Sequence, residues 1–242
     1  LKAQALRFGT EFVEDVVTEV DFSERPFKVK TEKEEYLAET VIVSTGASAM
    51  WLDIPGEKKL QGKGVSACAT CDGFFFRDKK VIIVGGGDSA MEEAIFLTKF
   101  ATEVIVFVRR DELRASKIMQ KRAMDNPKIS FMWNTEAKEL IGEEKLEAVK
   151  IVNNKTGEES EIQADGFFVA IGHKPNTSIF EGKIDLDEKG YIKHALNSTK
   201  TNIEGVFAAG DVADSVYRQA VTAAGTGCMA ALEAERYLAA KE

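Results

Sequence analysis

The chain has few residues that could hold a structural metal. Its 242 residues include three cysteines, Cys68, Cys71 and Cys228, and two histidines, His173 and His194. A structural zinc site needs about four such ligands, usually in paired spacings, so zinc is a poor account of Cys68 and Cys71. Nor do three cysteines, one of them left over, make the disulfide framework of a small secreted domain, and a reducing, cytoplasmic compartment is the expected location. Positive charge is also short: 32 Lys and Arg against 40 Asp and Glu give a net charge of −8. That balance argues against nucleic acid as the main partner and offers no basic tail to an anionic membrane. No apolar run approaches the ~20 residues of a spanning helix.

What is present starts with a soluble globular composition, 44% hydrophobic, long enough for one large domain or, as we expect here, two modest ones. Its centre is Val65-Ser-Ala-Cys-Ala-Thr-Cys-Asp-Gly-Phe74. Cys68 and Cys71 bracket two small residues, a spacing at which the sulfurs can close a small ring. Asp72 follows at once, an ionisable group able to help move the proton that thiolate chemistry gains or loses. Two unrelated buried cysteines are the plain alternative, since free Cys is often a small core residue. A C-x-x-C beside a nucleotide-binding pattern favours redox work.

Such a pattern follows. Lys79-Lys-Val-Ile-Ile-Val-Gly-Gly-Gly-Asp-Ser-Ala90 reads as a buried strand, a glycine turn and the start of a helix. Gly85, Gly87 and Ala90 fit G-x-G-x-x-A: the first glycine makes the tight turn, the second lets a pyrophosphate approach, and the small third residue packs helix on strand. A second strand, Glu103–Val108, ends in Arg109-Arg110, about twenty residues past the glycines, where an acidic residue would hold a ribose 2′-hydroxyl. Arginines there, with Arg114 nearby, favour a 2′-phosphate because guanidinium offers a planar, charge-assisted fork. NADPH is therefore the expected nucleotide, with a solvated charged turn as the plain alternative.

One plan occurs twice: helix end, strand, meander, buried strand, glycine, in Leu1–Gly46 and again in Ile118–Gly172. The second copy has its nucleotide βαβ unit upstream and the first does not, so a βαβ unit of about 30 residues or more is expected to precede Leu1 in a complete protein. Glu11–Val20 alternates as a strand does, and Trp51–Gly56, with Pro55 and Gly56, reads as a linker between globular units. An apolar strand closing on Gly210-Asp211 puts a carboxylate where a ribityl or ribose hydroxyl could be gripped, with a helix N-cap as the alternative. Gln219–Ala240 reads as a long helix rich in small residues, in which Cys228 is expected to pack at a close helix contact. The histidines are expected to be loop residues rather than ligands.

Six stretches in order carry a resemblance: Cys68-Ala-Thr-Cys-Asp72, Gly85-Gly-Gly-Asp-Ser-Ala90, Arg109-Arg110 with Arg114, Gly172-His-Lys-Pro-Asn176, Gly205-Val-Phe-Ala-Ala-Gly-Asp211 and Arg218-Gln-Ala220. By these motifs the chain resembles the low-molecular-weight thioredoxin reductases, FAD- and NADPH-dependent flavoproteins, and the likeness covers almost the whole chain. The resemblance implies an α/β, Rossmann-like fold with two dinucleotide-binding domains. Residues 1–49 and 174–242 would form a discontinuous FAD domain, incomplete at its N-terminus, and residues 50–173 an inserted NADPH domain carrying the redox-active disulfide. Electrons would pass from NADPH through FAD to the Cys68–Cys71 disulfide and on to thioredoxin, with Asp72 as the acid/base that protonates a departing thiolate.

The cofactor-binding residues so implied are Gly85, Gly87, Asp88, Ser89, Ala90, Arg109, Arg110, Arg114, Gly172 and His173, and, for what remains of the FAD site, Thr45, Gly46, Gly210, Asp211, Arg218, Gln219 and Ala220. A homodimer in the complete protein is implied too, as is rotation of one domain against the other about hinges near Ala49–Gly56 and Gly172–Asn176. The family's first G-x-G-x-x-G has no counterpart here, so the expectation is an N-terminally truncated reductase. Beside it stand a peroxiredoxin-reducing flavoprotein of the same superfamily and an NADPH-binding fragment without turnover. Reductases of this fold driven by ferredoxin or free flavin would not need Arg109 and Arg110.

Overall fold

Lys80–Val84, Glu103–Val108 and Gly166–Val169 are nearly continuous apolar runs, and a strand of that kind is stable only with both faces covered. The computed structural model of the chain describes residues 2–241 and supplies that cover. In order, the elements are α1 (Lys2–Arg7), β1 (Val17–Asp21), β2 (Phe27–Thr31), β3 (Glu35–Ala38), β4 (Val41–Val43), β5 (Ala47–Ala49), α2 (Glu57–Leu60), β6 (Val65–Ser66), α3 (Ala69–Asp72), β7 (Lys80–Val84), α4 (Asp88–Leu97), β8 (Glu103–Val108) and α5 (Lys117–Met124). There follow β9 (Ile129–Trp133), β10 (Thr135–Ile141), β11 (Ala148–Asn153), β12 (Glu159–Gln163), β13 (Gly166–Val169), β14 (His173–Pro175), β15 (Val206–Ala208) and α6 (Ala220–Ala239), with short 3-10 turns at Gly73–Phe76, Ser178–Phe180 and Gly210–Val212. The chain divides into two compact units. One is Ala49–His173, and the other is formed by the residues up to Ser48 and from Lys174 onward.

The continuous unit is built on a five-stranded sheet in the order β6-β13-β7-β8-β9, all neighbours parallel. Alternate side chains serve opposite layers. Val81, Ile83, Val104, Val106 and Phe168 join the core under α4 and α5, while Ile82, Ile105, Phe107, Phe167 and Val169 join the core under the antiparallel meander β10-β11-β12. Trp51, Leu52 and Ile54 pack against that second core.

Residues 51–56 are therefore not a linker. The Leu140 amide donates to Pro55 O, and a Cβ on Gly56 would lie 2.0 Å from Leu140 O. The buried Glu57 carboxylate accepts the amides of Leu52 and Asp53. The proline and glycine mark a turn pressed onto β10, and the first crossing between the units falls earlier, at Ser48/Ala49.

The discontinuous unit repeats the plan at smaller scale. A three-stranded antiparallel meander, β1-β2-β3, precedes β4, which pairs in parallel with β15. Val206 and Ala208 face a core with Val43, Phe27, Phe180 and Ile192, whereas Phe207 and Ala209 meet Ala230 and Ala234 of α6. The first strand is shorter than its alternation suggests, because its ladder begins only at Val17 opposite Thr31 and Phe12, Val13 and Val16 are exposed. Cys228 is also exposed, contrary to the packing expected for it, and a Cβ built on Gly225 or Gly227 meets nothing within 4 Å. Small residues on that face of α6 do not mark a close contact within the unit.

The Glu233 carboxylate ties α6 to the strand-end loop, accepting Ser198 Oγ at 2.6 Å, Thr199 N at 2.8 Å and Thr199 Oγ1 at 2.5 Å. Burial pushes its pKa up, but these donors outweigh burial and hold it below its ordinary 4.5. A depressed carboxylate stabilises fully above its unfolded value and loses that contribution as pH falls through the folded one. Glu233→Gln should lower Tm at pH 7 by roughly 2–4 °C, and the gap should narrow in melts recorded below pH 4.5. An equal gap at neutral and acid pH would overturn this account.

Candidate active site

Because β6, β13, β7 and β8 run parallel, their C-terminal ends share one edge of the sheet, where ligands of open α/β sheets bind. The loops leaving that edge carry Cys68–Asp72 after β6, Gly85–Ala90 after β7, Arg109–Arg114 after β8, and Gly172 and His173 after β13. The topology thus gathers the sequence-predicted residues of this unit on one edge.

After β6 the chain turns into α3, and Cys68 and Cys71 are joined as a disulfide. Cys68 is half-buried and Cys71 exposed. Cys68 Sγ accepts the Cys71 amide at 3.2 Å and lies 3.3 Å from the Thr70 hydroxyl. Asp72 closes α3, and its Oδ2 accepts the Ser66 hydroxyl at 2.6 Å; Ser66 Oγ in turn accepts the Cys68 amide at 3.0 Å. Ser66, only 7% exposed, therefore joins the carboxylate to the backbone of the redox pair. The Ala69 amide donates to Glu93 Oε2 of α4 at 3.3 Å.

Downstream, Phe76 is buried with its ring 5.0 Å from Phe168, over a glycine whose Cβ would lie 2.5 Å from that ring, Gly166. Phe74 and Phe75, between the disulfide and this anchor, are 59% and 69% exposed.

The glycine turn has room for a dinucleotide in one place and none in another. At Gly85 φ is +150°, and a Cβ there would sit 2.5 Å from Ala170 O and 2.7 Å from the buried Ala90 Cβ, so only glycine fits the turn. At Gly87, the residue preceding α4, a Cβ would meet nothing within 4 Å, which leaves the backbone open to an approaching phosphate. Asp88 and Ser89, in the first turn of α4, are exposed. Arg109, Arg110 and Arg114 are exposed as well, and among the described residues no carboxylate pairs with their guanidinium groups. Three free cations beside an open glycine turn suit a phosphorylated nucleotide.

In the other unit, Ser44, Gly46, Ala209, Gly210, Asp211, Ala220 and Ala223 line a cavity of about 350 Å³. Its walls are glycine, alanine and serine apart from Asp211, a half-buried carboxylate that makes no hydrogen bond among the described residues. A small-walled cavity with one free carboxylate suits part of a flat, hydroxylated cofactor. Thr45, Arg218 and Gln219 stand outside the lining: the Thr45 hydroxyl donates to Asn176 O at 2.7 Å, the Arg218 guanidinium donates to Ser215 O, and Gln219 caps α6. Asp214 orders this loop by accepting the amides of Val216, Tyr217 and Arg218 and the Thr222 hydroxyl. Burial raises its pKa, but those donors prevail and keep it below the usual carboxylate range.

Motif reading passes over Ser66, Glu93 and Asp214. Ser66 lies two residues before Cys68, within reach of inspection, whereas Glu93 and Asp214 carry no local signal. Among the described residues no three metal-ligating side chains cluster, and no helix is long and apolar enough to cross a membrane.

Residues 2–227 match the pyridine nucleotide-disulphide oxidoreductase family. The thioredoxin reductase of Streptomyces clavuligerus is 54% identical over 242 residues, covering 99% of this chain and 75% of that protein. That of Rickettsia bellii is 55% identical, covering 98% of this chain and 78% of that protein. Among solved structures, thioredoxin reductase from Giardia duodenalis superposes with a TM-score of 0.93 at 44% identity, covering 98% of this chain and 79% of that one. A disulfide beside a glycine turn and a sequence match over nearly the whole chain lead to one assignment: the chain belongs to the pyridine nucleotide-disulphide oxidoreductases.

Proposed function

We propose that the chain performs the work of a thioredoxin-disulfide reductase, drawing electrons from NADPH through FAD. The observation that carries this reading is the Cys68–Cys71 disulfide, in which Cys71 is exposed, with the Asp72 carboxylate next in the chain held by Ser66 and a glycine turn on the same sheet edge. When bound, NADPH supplies a hydride and FAD relays its electron pair. Gly85, Gly87 and the first turn of α4 would hold the pyrophosphate of NADPH, and Arg109, Arg110 and Arg114 its 2′-phosphate. Gly46, Gly210, Asp211 and Ala220 would hold part of FAD.

The chain's own residues then carry out disulfide exchange. In the reduced pair the Cys71 thiolate, on the exposed side, attacks one sulfur of the partner's disulfide, forms a mixed disulfide and expels the other sulfur as thiolate. The Cys68 thiolate, held by the Cys71 amide and close to the Thr70 hydroxyl, next attacks the Cys71 sulfur. That step restores the Cys68–Cys71 bond and releases the second partner thiolate. Two electrons leave the pair, and the departing thiolates take up protons, a transfer we assign to Asp72, which Ser66 orients. The exposed Phe74 and Phe75 offer an apolar contact to a folded protein substrate rather than to a small disulfide.

Three outcomes follow. Purified chain supplied with FAD should show flavin absorption that bleaches with NADPH and returns when oxidised thioredoxin is added, and Cys71→Ser should block the return; failure of the wild-type chain to take up flavin would sink the reading for this chain. Replacing both Phe74 and Phe75 with Ser should raise KM for thioredoxin about tenfold while leaving reduction of a small aromatic disulfide unchanged. Arg109→Ala with Arg110→Ala should reduce the preference for NADPH over NADH about a hundredfold, measured as the ratio of the two dissociation constants.

A further inference from the structure

Asp88 sits where a negative charge is least useful for a dinucleotide. It is the first residue of α4, directly after the open Gly87, and a pyrophosphate drawn to that helix end would be repelled by a carboxylate. Its geometry gives it another task. Asp88 Oδ1 accepts both the Ser116 amide, at 2.9 Å, and the Ser116 hydroxyl, at 2.7 Å. Beside it, Gly86 O accepts the amides of Arg114, at 2.7 Å, and Ala115, at 3.0 Å. Four hydrogen bonds therefore pin residues 114–116 to the glycine turn, and the buried Leu113 and Ala115 seat the same segment in the core.

The loop is fixed at its other end too. Asn154 Nδ2 donates to Arg109 O at 2.7 Å, and the Asn134 amide donates to Arg110 O at 3.1 Å. Between these anchors the three arginine side chains project exposed. Cations held on an ordered backbone lose less freedom when they bind an anion.

We propose that Asp88 is a positioning residue for coenzyme selection: by tying Ser116 to the glycine turn, it holds Arg109, Arg110 and Arg114 where a ribose 2′-phosphate binds. The proposal rests on the reading of those arginines as the phosphate site. The hydrogen bonds from Ser116 lower the Asp88 pKa, so the tie is a charge-assisted one at neutral pH. Its charge weakens both coenzymes through the pyrophosphate they share, whereas the tie affects only the one with the extra phosphate. The ratio of the two affinities therefore isolates the tie.

The test is equilibrium binding of NADPH and of NADH to the purified chain, followed by nicotinamide fluorescence, for wild type, Asp88→Ala, Asp88→Asn, Ser116→Ala and the Arg109→Ala/Arg110→Ala double variant. Both Ser116 donors reach one oxygen, which an amide can replace. Asp88→Asn should therefore keep the NADH-to-NADPH ratio of dissociation constants within about twofold of wild type. Asp88→Ala should cut that ratio roughly tenfold, and Ser116→Ala, which keeps the amide donor, by a smaller factor. An unchanged ratio in Asp88→Ala overturns the proposal, as does a ratio in Asp88→Asn as low as in Asp88→Ala, which would assign the effect to charge. Should Asp88→Ala melt before it can be assayed, Ser116→Ala decides by the same ratio. If the double arginine variant keeps the wild-type ratio, or wild type binds the two coenzymes equally, it is the coenzyme reading that fails.

Discussion

Parallel pairing of β13 between β6 and β7 is the constraint on which the functional part of the chain depends. Phe167 and Phe168 register against Val65 and Ser66 on one side and against Ile82 and Ile83 on the other. Parallel strands end at one edge, so this register alone delivers the redox turn, the glycine turn and the outgoing crossing to the same side of one sheet. The cost of this arrangement is that both faces must be buried, which is why β7, β8 and β13 are almost wholly apolar and why helices cover one face and a meander the other. The second unit obeys the same rule with two strands: β4 and β15 are parallel, and the small-walled cavity opens at Gly46 and Gly210, just past their ends.

A rigid edge does not by itself make a redox turn precise. Helix α3 is four residues long and could not hold its geometry alone. It is fixed from outside, by Phe76 wedged over Gly166 and Phe168, by Ser66 linking Asp72 to the Cys68 amide, and by Glu93 receiving the Ala69 amide. Each of these groups comes from a strand or helix of the main scaffold or packs directly upon one. The disulfide can therefore open and close on a base that the sheet keeps in place, while Cys71, Phe74 and Phe75 stay accessible.

Local rules reach as far as local causes do. The glycine turn is legible in the sequence because a positive φ at Gly85, an open backbone at Gly87 and the close approach of Ala90 all fall within six residues, even though Ala170 O, far along the chain, also crowds Gly85. The arginines are found by counting along a βαβ unit of standard length. The same rules fail where the partner is distant. Pro55-Gly56 resembles a linker until Leu140 is seen donating to it across 85 residues, and the alternation of Glu11–Val16 has no strand opposite to pair with. Around Cys228 the small residues look like a helix contact, yet nothing in the unit packs on that face. Ser66 and Asp214 escape motif reading for a related reason, since each is defined by which backbone amides it receives, and those depend on the fold.

The chain carries a net charge of −8, and the placement of several of its carboxylates gives them a structural use. Strand-end loops leave backbone N–H groups without ladder partners, and a buried or half-buried N–H must find an acceptor. Here one carboxylate serves each loop: Glu57 for residues 52–53, Asp88 for Ser116, Asp214 for residues 216–218 and Glu233 for Thr199. For Asp88, Asp214 and Glu233 these bonds depress the pKa, so each tie is complete at neutral pH and is surrendered only as acid overtakes the ordinary carboxylate range. The arginine loop in one unit and the loop before α6 in the other are thus ordered by the same device, a single carboxylate that gathers backbone amides.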